Sequence, residues 1–178
     1  MTARRPKARE LIVVGWALLG VMLLLSQALW RLTPLAWEPI ARDLLSPSQV
    51  AIYVLWVAFN AYAEGYRAFH RAWSPRVVRR AWLIAESPRP LYVVLAPLVA
   101  MGLVHATRRR LIISWTLTSA IVAAILLLRH VPQPYRGIVD GGVVIGLAIG
   151  VLSLIVHFAR SLNGTAPEVP SDMPLPAS

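Results

Sequence analysis

The chain has 178 residues, of which 57% are hydrophobic and 15% charged, with a net charge of +10 and no cysteine. Soluble domains contain about 25% charged residues, whereas here the charges lie between long apolar blocks, which predicts membrane-spanning helices. The composition excludes disulfides and cysteine nucleophiles, and basic residues at the ends of apolar blocks, without a nucleic-acid-binding motif, argue against a nucleic-acid partner.

The first apolar block runs from Leu11 to Trp30 and follows the basic residues Arg4, Arg5, Lys7 and Arg9. This order of charge and apolar block is shared with signal peptides, whose apolar part is only about 7–15 residues long. A tryptophan at the end of the block is typical of the membrane interface. We therefore predict a retained span over residues 11–30 with a cytoplasmic N-terminus, and a cleaved signal peptide is the alternative.

The second apolar block covers residues 49–69, and Ser48 is its predicted N-cap. Polar residues in and just after this block are spaced so that they share one helix face; they are Tyr53, Asn60, Glu64, Arg67 and Arg71. Ionisable groups within a span usually pair with one another. Glu64 is therefore predicted to pair with Arg67 or Arg71, either in a functional site or as a structural salt bridge at the end of the helix.

The region from residue 70 to residue 106 is predicted to stay close to one membrane surface or to cross once. Ser74-Pro75 opens a basic segment whose apolar residues predict a short amphipathic helix in the membrane plane, with arginines reaching lipid phosphates. The next block, residues 91–106, is short and has Pro97 at its centre. It is predicted to be either a short kinked span or a re-entrant hairpin.

Two further apolar blocks, residues 111–128 and 137–159, complete the predicted spans, and a proline-rich tail follows. The predicted fold is all-α: one polytopic membrane domain over residues 1–160 with about five hydrophobic helices, plus a disordered tail over 161–178. If residues 91–106 are re-entrant, only four helices cross, and more of the 18 basic residues lie on the cytoplasmic side. The predicted location is the inner (plasma) membrane of a bacterium.

Asp140 lies near the start of the last span, and with five spans it would share the depth of Glu64. Two such carboxylates are candidates for acid–base catalysis, and nearby polar residues are candidates for binding an anionic ligand: Asn60, Arg67, Arg71, Arg89 and Arg136. With four crossings Asp140 lies on the opposite side and the shared site is lost. In either topology the alternative for Asp140 is an acid that complements the dipole at a helix N-terminus. No metal or cofactor is predicted, since no histidine is spaced for ligation.

Gly142, Gly146 and Gly150 form a ladder of glycines four residues apart on the last span. Such a ladder is typical of close helix packing in lipid. The favoured partner is another helix of the same chain, and a second copy of the chain is the alternative. The fourth span is a candidate within the chain, because Ser119 and Ala123 are also four apart.

The short loops and scarce buried charges favour a non-catalytic structural or accessory protein that packs with partner helices and binds anionic lipid. Its partner would be another membrane protein or a second copy. The second hypothesis is a membrane enzyme that acts on a phosphate-bearing lipid or a prenyl substrate at the cytoplasmic interface. The third is a transporter or channel, which the few polar residues at mid-membrane disfavour.

Overall fold

The computed structural model describes residues 6–163 and 167–173, which form helices and loops without strands. The helices are α1 (Ala8–Ala41), α2 (Pro47–Asn60), a π-helical segment (Ala61–Trp73), α3 (Ser74–Glu86), α4 (Pro90–Val94), α5 (Ala96–Met101), α6 (Arg108–Leu128) and α7 (Tyr135–Leu162). Among these residues, α1, α6 and α7 are long and apolar enough to cross a membrane. The predicted all-helical fold is thus confirmed for the described residues, three of its helices are suited to cross a membrane, and the count of about five spans is not confirmed.

The start of α2 is set by a reciprocal cap. The Ser46 hydroxyl accepts the backbone N–H of Gln49, and the Gln49 side chain accepts the backbone N–H of Ser46 at 2.9 Å. Pro47 follows at the first helical position, where a missing N–H leaves no intrahelical bond unmade. The prediction of Ser48 as N-cap was therefore wrong, since Ser46 has the partner three residues later that a capping box requires.

The π-helical segment continues α2 into α3 without a loop, so that residues 47–86 form one long helical stretch. A π-helix has bonds from residue i to i+5, and such wide turns are rare and found at positions of functional or packing constraint. Rings four residues apart stack along this segment, Tyr62 on Tyr66 and Tyr66 on His70. The change in helical twist alters which side chains face α7.

The glycine ladder of α7 packs against α2 and the π-helical segment. The closest neighbours of the glycines are Tyr53 at Gly141, Trp56 and Asn60 at Gly142, Glu64 at Gly146, and Phe69 at Gly150. Since residue numbers rise together on both elements, α7 runs parallel to α2. The ladder thus packs within the chain, but not on the candidate α6: Ser119 and Ala123 are exposed and α6 makes no extended contact with α7 among the described residues.

A further neighbour of α7 is α1, which runs in the opposite direction. Pro39 near the end of α1 lies against Gly137 at the start of α7. Gln133 joins the two ends, because its side-chain N–H groups donate to the Leu35 carbonyl at 3.1 Å and the Glu38 carboxylate at 3.0 Å. Its side-chain oxygen also accepts the Gly137 N–H at 3.0 Å and thereby satisfies a free donor at the start of α7.

The main apolar core lies at the opposite end of α1, where α3, α5 and the last third of α7 surround it. Its fully buried members include Val14, Ala17, Leu18, Val21, Val77, Val78, Ala81, Val99, Ala100 and Leu154. The apolar face of α3 therefore packs against protein. The prediction that this face would lie on lipid was wrong, because the neighbouring helices cover it.

Residues 90–106 contain the two consecutive short helices α4 and α5, after which the chain folds back. Pro97 of α5 reaches the middle of α1, where it lies against Gly20. The chain then turns at Gly102, which has a left-handed φ of 77° that glycine adopts without a steric penalty. The ring of His105 stacks on that of Tyr92, with centroids 4.2 Å apart. The segment is thus no single spanning helix, and its two ends lie side by side.

The remaining helix, α6, is almost entirely exposed, with Ser114 as its buried residue. It touches the rest of the described chain mainly at its first turns, where Trp115 donates to the Leu103 carbonyl at 3.1 Å. Of the segment predicted to be a disordered tail, Ser161 and Leu162 belong to α7 and residues 171–173 contact the helical domain. Residues 1–5, 164–166 and 174–178 lie outside the described part.

Candidate functional site

Asn60 is buried, with 3% of its surface exposed, at the junction of α2 and the π-helical segment. Its side-chain amide donates to the Trp56 carbonyl, one helical turn earlier, at 2.8 Å. Its nitrogen also lies against the backbone of Gly142 in α7. The residue predicted to bind a ligand is therefore placed in a helix contact, with one of its two amide N–H donors bonded within its own helix.

Glu64 packs against Gly146 of α7. A Cβ added to Gly146 would stand 2.8 Å from a carboxylate oxygen of Glu64. Among the described residues its carboxylate makes no salt bridge. The predicted pairing with Arg67 or Arg71 is therefore wrong. Arg71 lies over the ring of Tyr66, with 6.0 Å between guanidinium and ring centroid, and both arginines are exposed.

Asp140 is buried in the first turns of α7, and its carboxylate oxygen lies 3.5 Å from Nε of Arg136. The two residues are four apart on one helix, which places their side chains on the same face. That oxygen has no hydrogen-bond partner within the described residues. Asp140 therefore forms an ion pair on its own helix rather than with the polar stripe of α2.

The two candidate catalytic carboxylates are not brought together. Glu64 lies at the level of Gly146, and Asp140 precedes that glycine by more than one helical turn, about 9 Å along the axis at 1.5 Å per residue. Arg89, a candidate for ligand binding, lies between α3 and α4, with its guanidinium 5.8 Å from the centroid of the Tyr92 ring. The predicted residues thus occupy three separate places.

Two histidines join the π-helical segment to α7. His70 forms a hydrogen bond through Nδ1 with the Ser153 hydroxyl at 3.1 Å, and His157 contacts the His70 carbonyl through Nε2 at 3.0 Å. Their rings are 5.0 Å apart. No group of three or more His, Asp or Glu side chains suited to hold a metal occurs in the described ranges. Both histidines therefore act in helix packing.

A cluster that the sequence did not predict surrounds Arg80 of α3, whose surface is 0% exposed. Its guanidinium donates to the carbonyl of Ser171, to the carbonyl of Ala100 at 3.0 Å and to the carboxylate of Asp172 at 3.4 Å. The backbone of Asp172 is held as well, because its carbonyl accepts the Thr107 N–H at 2.8 Å. The tail thus closes over a buried arginine.

Two further arginines join this cluster. Nε of Arg76 lies 3.8 Å from the same Asp172 oxygen, and Nε of Arg110 lies beside Arg80 at Gly102. Burial and the neighbouring Arg110 lower the pKa of Arg80 to about 10, although Asp172 opposes the shift. Arg80 therefore keeps its charge at neutral pH. Arg76 and Arg80 share the Asp172 carboxylate, and Arg110 adds a third guanidinium group beside them. We name Arg76, Arg80, Arg110 and Asp172 the arginine cluster.

Sequence reasoning missed the arginine cluster because its members come from α3, α6 and the tail. Arg76 and Arg80 are four residues apart, a spacing that signals a shared face, but nothing local links them to Asp172. Searches of family models, curated proteins and solved structures found no match for this chain. The geometry of its own residues therefore carries the functional argument.

Proposed function

We propose that the chain is a non-catalytic, multi-pass membrane protein that acts as an accessory component and binds a partner helix through α6. The observation that carries the proposal is the exposure of α6. Only 6% of its apolar 18-residue stretch is buried, against 28% of the corresponding stretch in α1 and in α7. A helix that spans a membrane without packing on its own bundle is available to another chain. The three other long helical elements already pack on one another.

The surface of α6 has the character of a helix-packing face. Five of its small residues lie on one side of the helix by their spacing and are exposed, whereas Ser114 and Thr118 lie on the other side: the five are Thr116, Ser119, Ala120, Ala123 and Ala124. Larger residues, among them Leu117, Ile121 and Ile125, occupy the other side. Small side chains let two backbones approach closely in lipid, where dispersion contacts drive association. We infer that the small-residue face, defined by these five small residues, receives the partner helix.

The enzyme hypothesis loses its main support. It required Glu64 and Asp140 at one depth with arginines between them, and these carboxylates are separated along α7. Arg67, Arg71 and Arg89 are exposed, which suits contact with anionic headgroups rather than an enclosed substrate.

For the membrane topology we propose four crossings, by α1, by α2 with the π-helical segment, by α6 and by α7. The segment over residues 90–106 then enters and leaves on one side, in keeping with the stacking of Tyr92 on His105. The parallel course of α2 and α7 requires an odd number of crossings from the start of α2 to the end of α7, as this topology has. The basic residues near α3 and the start of α6 mark that side as cytoplasmic.

Affinity purification in mild detergent tests the partner proposal. The wild type is expected to yield a stoichiometric membrane-protein partner or a defined oligomer, and Ala120→Leu is expected to lose it. Ala58→Leu is the matched control, because Ala58 is exposed on α2 and lies outside the small-residue face. Recovery of the wild type as a monomer without a companion would contradict the proposal, as would equal losses in both variants.

Cysteine labelling tests the topology, since the chain has no cysteine of its own. Single cysteines at Thr107 and His130, both exposed, should react with an impermeant maleimide from opposite sides of sealed vesicles. Four crossings require Thr107 on the cytoplasmic side and His130 on the other. Labelling of the two positions in the reverse sense, or from one side, would overturn this topology.

A further inference from the structure

We propose that Arg76, Arg80 and Arg110 form a binding site for a phosphate group, and that the tail's Asp172 carboxylate occupies this site in the structure. The phosphate is either free or carried by a lipid headgroup, and both present the same oxygens. The site lies between α3, the turn at Gly102 and the first turn of α6. It does not depend on the partner proposed for α6, because the small-residue face begins further along that helix.

The charges of the arginine cluster do not balance. Arg76 and Arg80 pair with one carboxylate and Arg110 lies beside Arg80, so the cluster keeps an excess of positive charge in a largely buried place. Buried charges are normally paired, because an uncompensated one is costly. A phosphate monoester has a charge of about −1.5 to −2 at neutral pH. It would therefore compensate the cluster better than Asp172 does.

A further argument is the number and position of donors. Arg80 and Arg76 reach the same Asp172 oxygen at 3.4 and 3.8 Å, whereas charge-assisted N–H···O bonds are about 2.7–2.9 Å long. Nε of Arg76 and Nε of Arg110 are buried and have no hydrogen-bond partner among the described residues. A carboxylate is thus too small to satisfy these donors, while the oxygens of a phosphate can accept from several guanidinium groups at once.

The arginine cluster is also held in place by the fold. Arg80 is fixed by the carbonyls of Ala100 and Ser171, which leaves its remaining nitrogen directed at Asp172. A side chain at Gly102 would meet Arg80 at 2.8 Å and Arg110 at 3.1 Å, so glycine makes room for both. The side chains of Arg76 and Asp172 are each 33% exposed. The site is therefore rigid at its base and open on the side where the tail lies.

The test measures phosphate binding to the full-length chain in detergent. Labelled inorganic phosphate is titrated first, and dihexanoyl phosphatidic acid is then added as competitor and, separately, as a ligand detected by thermal stabilisation. Dihexanoyl phosphatidylcholine, whose phosphate is masked by choline, is the control lipid. Saturable binding of both probes identifies the phosphate group itself as the ligand, and binding of phosphatidic acid alone identifies a lipid headgroup. Both results support the site.

Removal of the tail carboxylate should open the site. Asp172 has a left-handed φ of 53°, which glycine adopts without strain, so Asp172→Gly removes the side chain while it preserves the backbone. We expect phosphate affinity to rise about tenfold, because a competing negative charge is lost. Glu168→Gly removes an exposed acid from the same tail and should leave the affinity unchanged. A loss of affinity in Asp172→Gly would overturn the proposal.

Removal of an arginine should close the site. We expect Arg110→Gln and Arg76→Gln each to weaken binding about tenfold or more, the usual cost of losing a hydrogen bond to a charged group. Arg109→Gln is the control, because Arg109 is exposed and differs from Arg110 by one position. Arg76 gives a test that leaves the three Arg80 bonds in place. Equal losses in the Arg109 and Arg110 variants, or no saturable binding of either probe to wild type and Asp172→Gly, would overturn the proposal.

Discussion

The helices α6 and α7 are comparably apolar, yet 28% of an apolar 18-residue stretch of α7 is buried, against only 6% of the corresponding stretch of α6. The difference follows from glycine. Five glycines of α7 contact α1, α2 or the π-helical segment, namely Gly137, Gly141, Gly142, Gly146 and Gly150, whereas α6 has none. In lipid, apolar character alone does not drive helices together. Hydropathy therefore predicts which helices are apolar enough to cross a membrane, and glycine placement separates α7, which packs inside the chain, from α6, which does not.

The largest effect should come from a bulky side chain in the glycine ladder. At Gly142 even a Cβ would stand 2.5 Å from the Trp56 ring nitrogen and 2.6 Å from the Asn60 amide, so Gly142→Leu should separate α7 from α2. We expect a loss above about 3 kcal/mol in the free energy of unfolding, the upper range for overpacking. Chemical unfolding of the purified monomer measures it.

The control for this substitution is Ala123→Leu in α6. Ala123 is exposed, so the added carbons meet only lipid or detergent, and the monomer should keep its stability within about 0.5 kcal/mol. If Ala123→Leu destabilises the monomer as much as Gly142→Leu, then α6 packs on the bundle and the comparison fails.

A smaller effect is expected when a large side chain is shortened. Leu154 of α7 is 1% exposed in the main core and Leu127 of α6 is 70% exposed. Leu154→Ala leaves a cavity and should cost about 2–3 kcal/mol, while Leu127→Ala should cost almost nothing. The same unfolding measurement on both variants compares them directly. Equal costs would show that Leu127 is covered in the folded monomer.

The sequence predicted the features that depend on local composition and spacing. The apolar blocks of α1, α6 and α7 and the helical character of the basic segment after Ser74-Pro75 are of this kind. It failed where the answer depends on how distant elements meet. Both α6 and α7 have small residues four apart, and only the folded arrangement shows that Gly142 faces Asn60 rather than Ser119.

The predicted site at Glu64 and Asp140 also depended on how distant elements meet. The depth shared by Glu64 and Asp140 followed from the assumption that residues 91–106 cross the membrane. That segment instead turns back at Gly102. Glu64 lies beside Gly146, six residues after Asp140 on α7, so the two carboxylates do not share a depth. The arginine cluster requires Asp172 to return to Arg80 across the whole of α6 and α7, and no local pattern records such a return.

A third prediction concerns the attachment of α7 to α1. Gln133 makes hydrogen bonds to the Leu35 carbonyl, the Glu38 carboxylate and the Gly137 N–H. Gln133→Ala should cost about 1–3 kcal/mol, because it leaves part-buried donors and acceptors unpaired. Gln27→Ala on the exposed surface of α1 is the control and should be neutral. A neutral Gln133→Ala would mean that water replaces these bonds and that the glycine ladder alone holds α7.

The smallest effects should come from a matched pair of buried serines, one on each helix. Ser161 of α7 accepts the Trp82 ring N–H at 3.0 Å and donates to the Phe158 carbonyl at 2.6 Å. Ser114 of α6 is equally buried, but its hydroxyl has no hydrogen-bond partner in the part of the chain that the structure describes. The two substitutions to alanine should therefore differ in sign.

Ser161→Ala leaves the tryptophan N–H unpaired and should lower the free energy of unfolding by about 1–2 kcal/mol. Ser114→Ala removes an unsatisfied buried hydroxyl, so it should leave stability unchanged or raise it by up to about 1 kcal/mol. Parallel unfolding curves of the two monomers measure the difference. If Ser114→Ala proves destabilising, its hydroxyl has a partner when the chain is in detergent or lipid, and the start of α6 is then held to the bundle by more than the Trp115 bond to Leu103.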